Sequence, residues 1–242
     1  MSLVAHEIEL EGDPYAIPER RRPSEQANLV NGIRAEVDAW RGNGYPGASA
    51  TTKRLFSFWF QEDHRTPDGF PFQYFFCQRE AVETFVWLHE VRRVRGFADL
   101  IGFASGPLLF DPQEQKRARY VFKMATGSGK TKAMALAIAW SYFHSLYEPD
   151  SPVTPHSLLI APNVIVFERL KDDFGDGAVF LRDPVIPPEW RSDFDFRVIL
   201  QDELTPETTR GVLYLTNIHR LYEDKKPPPQ NPVAALVGPA VN

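Results

Sequence analysis

The sequence has a single cysteine, and that scarcity excludes an internal disulfide. A chain without disulfides suits a reducing cytoplasm. Cys77 sits in the aromatic stretch Phe75-Phe76-Cys77, where a small buried hydrophobe is expected rather than a nucleophile. Positive charge is not in excess: 27 Lys and Arg stand against 32 Asp and Glu, a formal net charge of −5. Whole-chain charge therefore shows no basic face for nucleic acid. The clusters Arg20–Arg22, Arg92–Arg95 and Lys116–Arg119 read as solvated surface. Long apolar runs are missing as well. The longest, Ala133 to Trp140, falls far short of the ~20 residues that span a bilayer. The opening segment, MSLVAHEIELEGD, is acidic where a signal peptide is basic and then apolar. The six histidines are scattered without metal-ligand spacing, so no structural metal is expected. These absences leave a soluble, cytoplasmic protein with no membrane segment as the expectation.

What is present is an ordinary globular composition, 43% hydrophobic and 24% charged, in a chain long enough to bury a core. Residues 1 to about 24 are polar and contain three prolines, which predicts an irregular arm. From Glu25 to Trp40, the apolar residues Leu29, Ile33, Val37 and Trp40 recur at helical spacing. Gly42–Ala50 reads as a loop, Thr51–Phe60 as a helix in preference to a short strand, and His64–Phe72 as a turn-rich connection. Gln73–Val94 is a second long helix candidate, and Gly96–Pro112 reads as loop. The pattern then becomes alternating strand and helix. Arg119–Met124 predicts a strand, Lys130 to about Tyr147 a helix, Ser157–Ala161 a buried strand and Asn163–Phe174 a helix. Phe194–Leu200 and Val212–Thr216 are further strands, and Lys225–Pro232 is a proline-rich linker. Short apolar strands alternating with helices predict an α/β fold with a parallel sheet. The Lys130–Tyr147 helix is apolar on nearly every side, so it must be buried between a sheet and a second layer.

The most specific motif is Met124-Ala125-Thr126-Gly127-Ser128-Gly129-Lys130-Thr131. A predicted strand precedes it and a predicted helix follows, the context of a phosphate-binding P-loop. Gly127 and Gly129 permit the tight turn that aims successive N–H groups at phosphate oxygens. The helix N-terminus adds partial positive charge toward the same anion. Lys130 would neutralise the β- and γ-phosphates, and Thr131 would offer its hydroxyl to Mg²⁺. Ala125, Thr126, Gly127, Ser128, Gly129, Lys130 and Thr131 are thus the candidate ATP-binding residues, with Lys130 and Thr131 in the catalytic roles. The common pattern begins with glycine, where this chain has Met124.

ATGSGKT preceded by Met is similar to motif I of superfamily 2 DEAD/DEAH-box helicases, especially the type III restriction enzyme Res-subunit branch. Phe76–Val82 resembles that branch's upstream glutamine motif, which implies that Gln78 reads the adenine edge with its amide. A helix-surface glutamine is the plainer alternative. Ala161-Pro162-Asn163 resembles motif Ia. Asn163 would cap the next helix, and backbone amides there would hold a nucleic-acid phosphate. A plain cap with no ligand is the competing reading. Leu215-Thr216-Asn217-Ile218 resembles motif Ib, whose hydroxyl and amide also meet the nucleic-acid backbone. The resemblance spans roughly residues 28–223. It implies a partial RecA-like sheet flanked by helices over 66–242 and a family-specific, partly helical extension over 1–65. It also implies ATP and Mg²⁺ as cofactors, double-stranded DNA as track, and a modification or specificity subunit as a further partner.

Such a motor needs a Walker B acidic pair to hold Mg²⁺ and align water. Val198–Glu203 ends in Asp202-Glu203, but Leu-Thr follows it and it precedes the motif Ib-like segment, against the family order. The true acidic motif is therefore expected beyond Asn242, with the second motor domain. The chain alone is expected to bind nucleotide without hydrolysing it. It is also expected to be marginally stable, because the phosphate-loop strand would keep an unpaired edge. Two other classes remain open. A P-loop small-molecule kinase accounts for the loop but not for Gln78, Asn163 and Asn217. A non-catalytic nucleotide-binding module is the third.

Overall fold

The computed structural model describes residues 13–16, 28–106, 120–201, 203 and 209–221. Most of the irregular arm and the whole of the 225–232 linker expected from sequence lie outside these residues.

The first helix, α1 (Asn28–Gly42), buries Ile33, Val37 and Trp40, the stripe that the helical spacing predicts. It stops where Gly44 takes a left-handed φ of 73° and Tyr45 N–H turns back to the Trp40 carbonyl at 2.9 Å. Helix α2 (Ala50–Gln61) starts at Ser49, whose hydroxyl accepts from Thr52 N–H, and it buries Leu55, Phe56, Phe58 and Trp59. A small hairpin, β1 (His64–Arg65) and β2 (Pro71–Phe72), leads to α3 (Phe76–Val86). That helix continues into a π-helical turn, Trp87–Val91, rather than running to Val94 as one α-helix. The Gly96–Pro112 segment is not all loop. Phe97–Phe103 forms a 3-10 helix because the Asp99 carboxylate accepts the N–H groups of Arg95 (2.7 Å) and Gly96 (3.1 Å). Residues 107–112 lie outside the described residues.

Helix α4 (Lys130–Tyr147) is the axis of the molecule, about 27 Å long at 1.5 Å per residue. Ala135, Leu136, Ala139, Trp140 and Phe143 have no exposed surface, so the burial inferred from its all-round apolarity is observed. Helices α2 and α3 pack on it, and one continuous core joins Val37 and Trp40 to Trp140 and Phe143. The Tyr142 ring lies against Gly211 and Phe196, and a Cβ at Gly211 would come within 2.6 Å of that ring.

The remaining elements are β3 (His156–Ala161), α5 (Val164–Phe174), α6 (Ala178–Arg182), β4 (Phe196–Leu200) and β5 (Gly211–Asn217). The three strands form one parallel sheet in the order β3-β5-β4. Central β5 buries Val212, Leu213 and Leu215, as parallel strands require. Strand β3 differs from the expected buried strand. It is an edge of this sheet, and Leu158 (57% exposed) and Ile160 (42%) face out while alternate residues face in.

The strand expected before the P-loop is also absent over its described part. Residues 120–124 form no strand and pair with none of the described sheet, and Val121 is 93% exposed. β propensity alone does not make a strand, because its N–H and C=O groups need a neighbouring ladder. No helix among the described residues is long and apolar enough to cross a membrane.

Candidate nucleotide-binding site

The loop preceding α4 has the backbone that its glycines predict. Gly127 has φ 81° and Gly129 φ 74°, both left-handed. A Cβ at Gly127 would meet nothing within 4 Å, so that side of the loop is open. The N–H groups of Gly127, Gly129, Lys130 and Thr131 have no backbone acceptor among the described residues. Ser128 is the exception: its N–H (3.3 Å) and hydroxyl (2.7 Å) both donate to the Ala125 carbonyl and brace the turn. Lys130 is exposed and arches back over the loop, where its Nζ donates to the Ala125 (2.8 Å) and Met124 (3.2 Å) carbonyls. Open amides, a helix N-terminus and one exposed ammonium fit a polyphosphate. Ala125 and Thr126 are exposed on this turn and Thr131 is half-buried at the start of α4.

Gln78 is brought to this loop, but not as an outward-facing amide. It is 2% exposed. Its Oε1 accepts from Phe75 N–H (3.0 Å) at the start of α3, and its Nε2 donates to the Ser128 carbonyl (2.9 Å). A Cβ on Gly129 would come within 2.2 Å of that nitrogen. Gln78 therefore ties α3 to the loop, and the plain helix-surface reading is excluded by its burial.

Neighbouring Cys77 is exposed, against the expected buried hydrophobe, because α3 turns Phe76 and Gln78 inward on either side of it. Its thiol lies 4.0 Å from the same Ser128 carbonyl. Partial burial pushes the Cys77 thiol above its ordinary range, with Glu80 adding to the effect and local backbone bonds opposing it.

Sequence reasoning did not find Lys132 and Asp183. Lys132 Nζ pairs with Asp183 at 2.6 Å and lies 4.6 Å from the centre of the Phe72 ring, fixing the first turn of α4 to the segment after α6. A second lysine two residues past Lys130 was the available signal; its partner, 51 residues away, was not visible.

The other candidate residues meet at one end of the sheet. Ala161 stands opposite Asn217, and Ile160 opposite Thr216, at the C-terminal ends of adjacent parallel strands. Pro162 and Asn163 follow directly and are exposed. Asn163 caps α5, its Oδ1 accepting Val166 N–H at 2.9 Å. Asn217 is buried; its Oδ1 accepts His219 N–H (2.9 Å), and its own N–H donates to Gln201 Oε1 (3.1 Å). Asn163→Ala is expected to lower unfolding free energy by about 1 kcal/mol in urea titration, the usual cost of a lost N-cap. Of the Asp202-Glu203 pair, Asp202 lies outside the described residues, and Glu203 Oε2 accepts Leu200 N–H (3.0 Å).

With this geometry in view, residues 72–234 match the family model described as type III restriction enzyme, res subunit. The chain belongs to that family. Membership brings a superfamily 2 helicase-like domain with it, in agreement with the parallel sheet and phosphate loop. Neither a curated protein nor a solved structure matches the chain. The family match begins at Phe72, after α1 and α2, although those helices share the core with α4.

Proposed function

We propose that this chain is the ATP-binding N-terminal portion of an ATP-dependent DNA helicase or translocase of the type III restriction kind. The observation carrying this reading is the loop Met124–Thr131, with left-handed Gly127 and Gly129, open amides and Lys130 held over it, in a Res-subunit family member. The open amides of Gly127, Gly129, Lys130 and Thr131 would grip the β- and γ-phosphates, Lys130 would neutralise them, and Thr131 would offer its hydroxyl to Mg²⁺. The Thr131 hydroxyl would hold Mg²⁺, which would supply positive charge against the charge developing on the phosphates.

The C-terminal end of the sheet, formed by Pro162, Asn163, Thr216 and Asn217, is the proposed contact with the duplex backbone. Their support is position: adjacent parallel strands end together there, where open α/β sheets place ligands. Residues 1–65 are proposed as an extension of the motor domain at 66–242. Cytoplasmic location and a modification subunit as partner belong to the same proposal. Hydrolysis requires an acidic pair that Glu203, turned onto its own strand end, does not supply.

The test is thermal unfolding with Mg-ATP, followed by phosphate release with and without duplex DNA. At a hundredfold excess over its dissociation constant, Mg-ATP should stabilise the protein by about 2.7 kcal/mol, with no turnover by this chain. An unmoved transition at saturating Mg-ATP would sink the reading. Transfer of phosphate to a small acceptor would favour a kinase instead.

A further inference from the structure

Glu83 is a carboxylate with no exposed surface, on α3 little more than one turn past Gln78. Both of its oxygens are in use. Oε1 accepts from Tyr45 Oη (2.6 Å) and Arg79 Nε (2.8 Å), and Oε2 accepts from Arg41 Nε (2.7 Å). Arg79 also donates to Tyr45 Oη (2.9 Å), and Arg41 is held from the other side by Asp38 (2.6 Å). The two guanidiniums lie over aromatic rings, Arg41 on Phe76 at 5.1 Å and Arg79 on Phe60 at 5.2 Å. Burial alone would lower the Arg41 pKa, but its bonds to Glu83 and Asp38 outweigh that and raise it.

A buried ion cluster is a poor way to gain stability, because apolar side chains of similar size hold helices together as well. What it supplies is one fixed geometry, since each carboxylate oxygen has a set donor. Here the geometry joins three segments: Arg41 at the end of α1, Tyr45 in the following turn, and the first two turns of α3. The same turns carry Gln78, whose amide holds Ser128, and Gly129 lies too close to that amide for slack. A displacement of α3 is therefore transmitted to the phosphate loop.

We propose that buried Glu83, gripped by Arg41, Tyr45 and Arg79, is a positioning residue that sets α3 against the phosphate loop, making nucleotide affinity depend on α1. The inference rests on the reading of Gly127–Thr131 as a triphosphate cradle. Arg41 and Tyr45 lie outside the region matched by the family, so the device belongs to the N-terminal helices of this chain.

The lone cysteine provides a test independent of activity. Cys77 is exposed beside Ser128, so its rate of reaction with a maleimide reports how α3 sits on the loop. Glu83→Gln keeps the shape and removes the charge. The full chain carrying it should label faster at Cys77 and bind Mg-ATP about tenfold more weakly, within the range of long-range coupling, while its circular dichroism matches the parent. Glu90→Gln is the control, a half-buried carboxylate bound to Thr52 and Ser49 nearer the other end of α4. It should change neither readout. Parental labelling and affinity in Glu83→Gln, or parallel changes in both variants, would overturn the proposal. If Glu83→Gln does not fold, Tyr45→Phe decides, with a smaller rise in labelling expected and none overturning it. If the parent binds no Mg-ATP, the nucleotide reading fails, and Cys77 labelling without nucleotide still settles the positioning.

Discussion

Lys130→Ala is expected to weaken Mg-ATP binding by roughly ten- to a hundredfold and to leave the unfolding transition without nucleotide where it was. The first half follows from charge. Lys130 is the cation of the loop, and a hydrogen bond to a charged group is worth about 1.5–3 kcal/mol, with tenfold in affinity for every 1.4 kcal/mol. The second half follows from position. Lys130 is exposed, and its protein partners are two carbonyls of its own loop, Met124 and Ala125. No core contact goes with it. Calorimetric titration gives the affinity and a urea transition gives the stability. A variant that binds Mg-ATP like the parent would remove Lys130 from the site. A variant that loses several kcal/mol of stability would show that the lysine is structural.

That separation depends on features of unequal visibility in the sequence. The phosphate loop was legible because its chemistry is local: two glycines, a lysine and a threonine within five residues fix backbone and charge together. Helices α1, α2, α4 and α5 were legible for a similar reason, since the spacing of Leu29, Ile33, Val37 and Trp40 records one buried face directly. Asn163 announced the start of α5 because capping is a contact between near neighbours. The parallel sense of β3 and β4, which α5 and α6 separate, followed from the alternation of strand and helix.

The unreadable features are those whose partners lie far along the chain. Glu83 looks like a solvated helix residue until Arg41, 42 positions earlier, is placed beside it. The bond from Gln78 to the Ser128 carbonyl, 50 residues later, is equally invisible in sequence. Residues 120–124 have strand-like composition, but strand formation belongs to a pair, and no strand among the described residues lies alongside. The outward face of β3 was missed likewise. Leu158 and Ile160 suit a buried strand by type, and only the strand order shows β3 to be an edge.

Trp140→Ala is expected to have the largest effect on stability, a loss of about 3–5 kcal/mol in urea unfolding. Trp140 has no exposed surface, packs edge-on against Phe85 at 5.5 Å, and lies in the core shared by α1 to α4. Its indole N–H also donates to Thr52 Oγ1 (2.8 Å), whose own hydroxyl donates to Glu90 (2.5 Å). Alanine would leave a cavity between α2, α3 and α4, and the total stability of a domain is only about 5–15 kcal/mol. Trp140→Phe separates the two contributions. It keeps most of the ring and removes the N–H, so about 1–2 kcal/mol should be lost. A loss below about 2 kcal/mol for alanine would contradict the packing of α4 described above. Lys130 and Trp140 occupy the same helix nearly three turns apart, yet the first should change affinity without stability. The second should change stability while the folded fraction binds Mg-ATP as the parent does, because α4 presents its amides to the nucleotide only from its first turn.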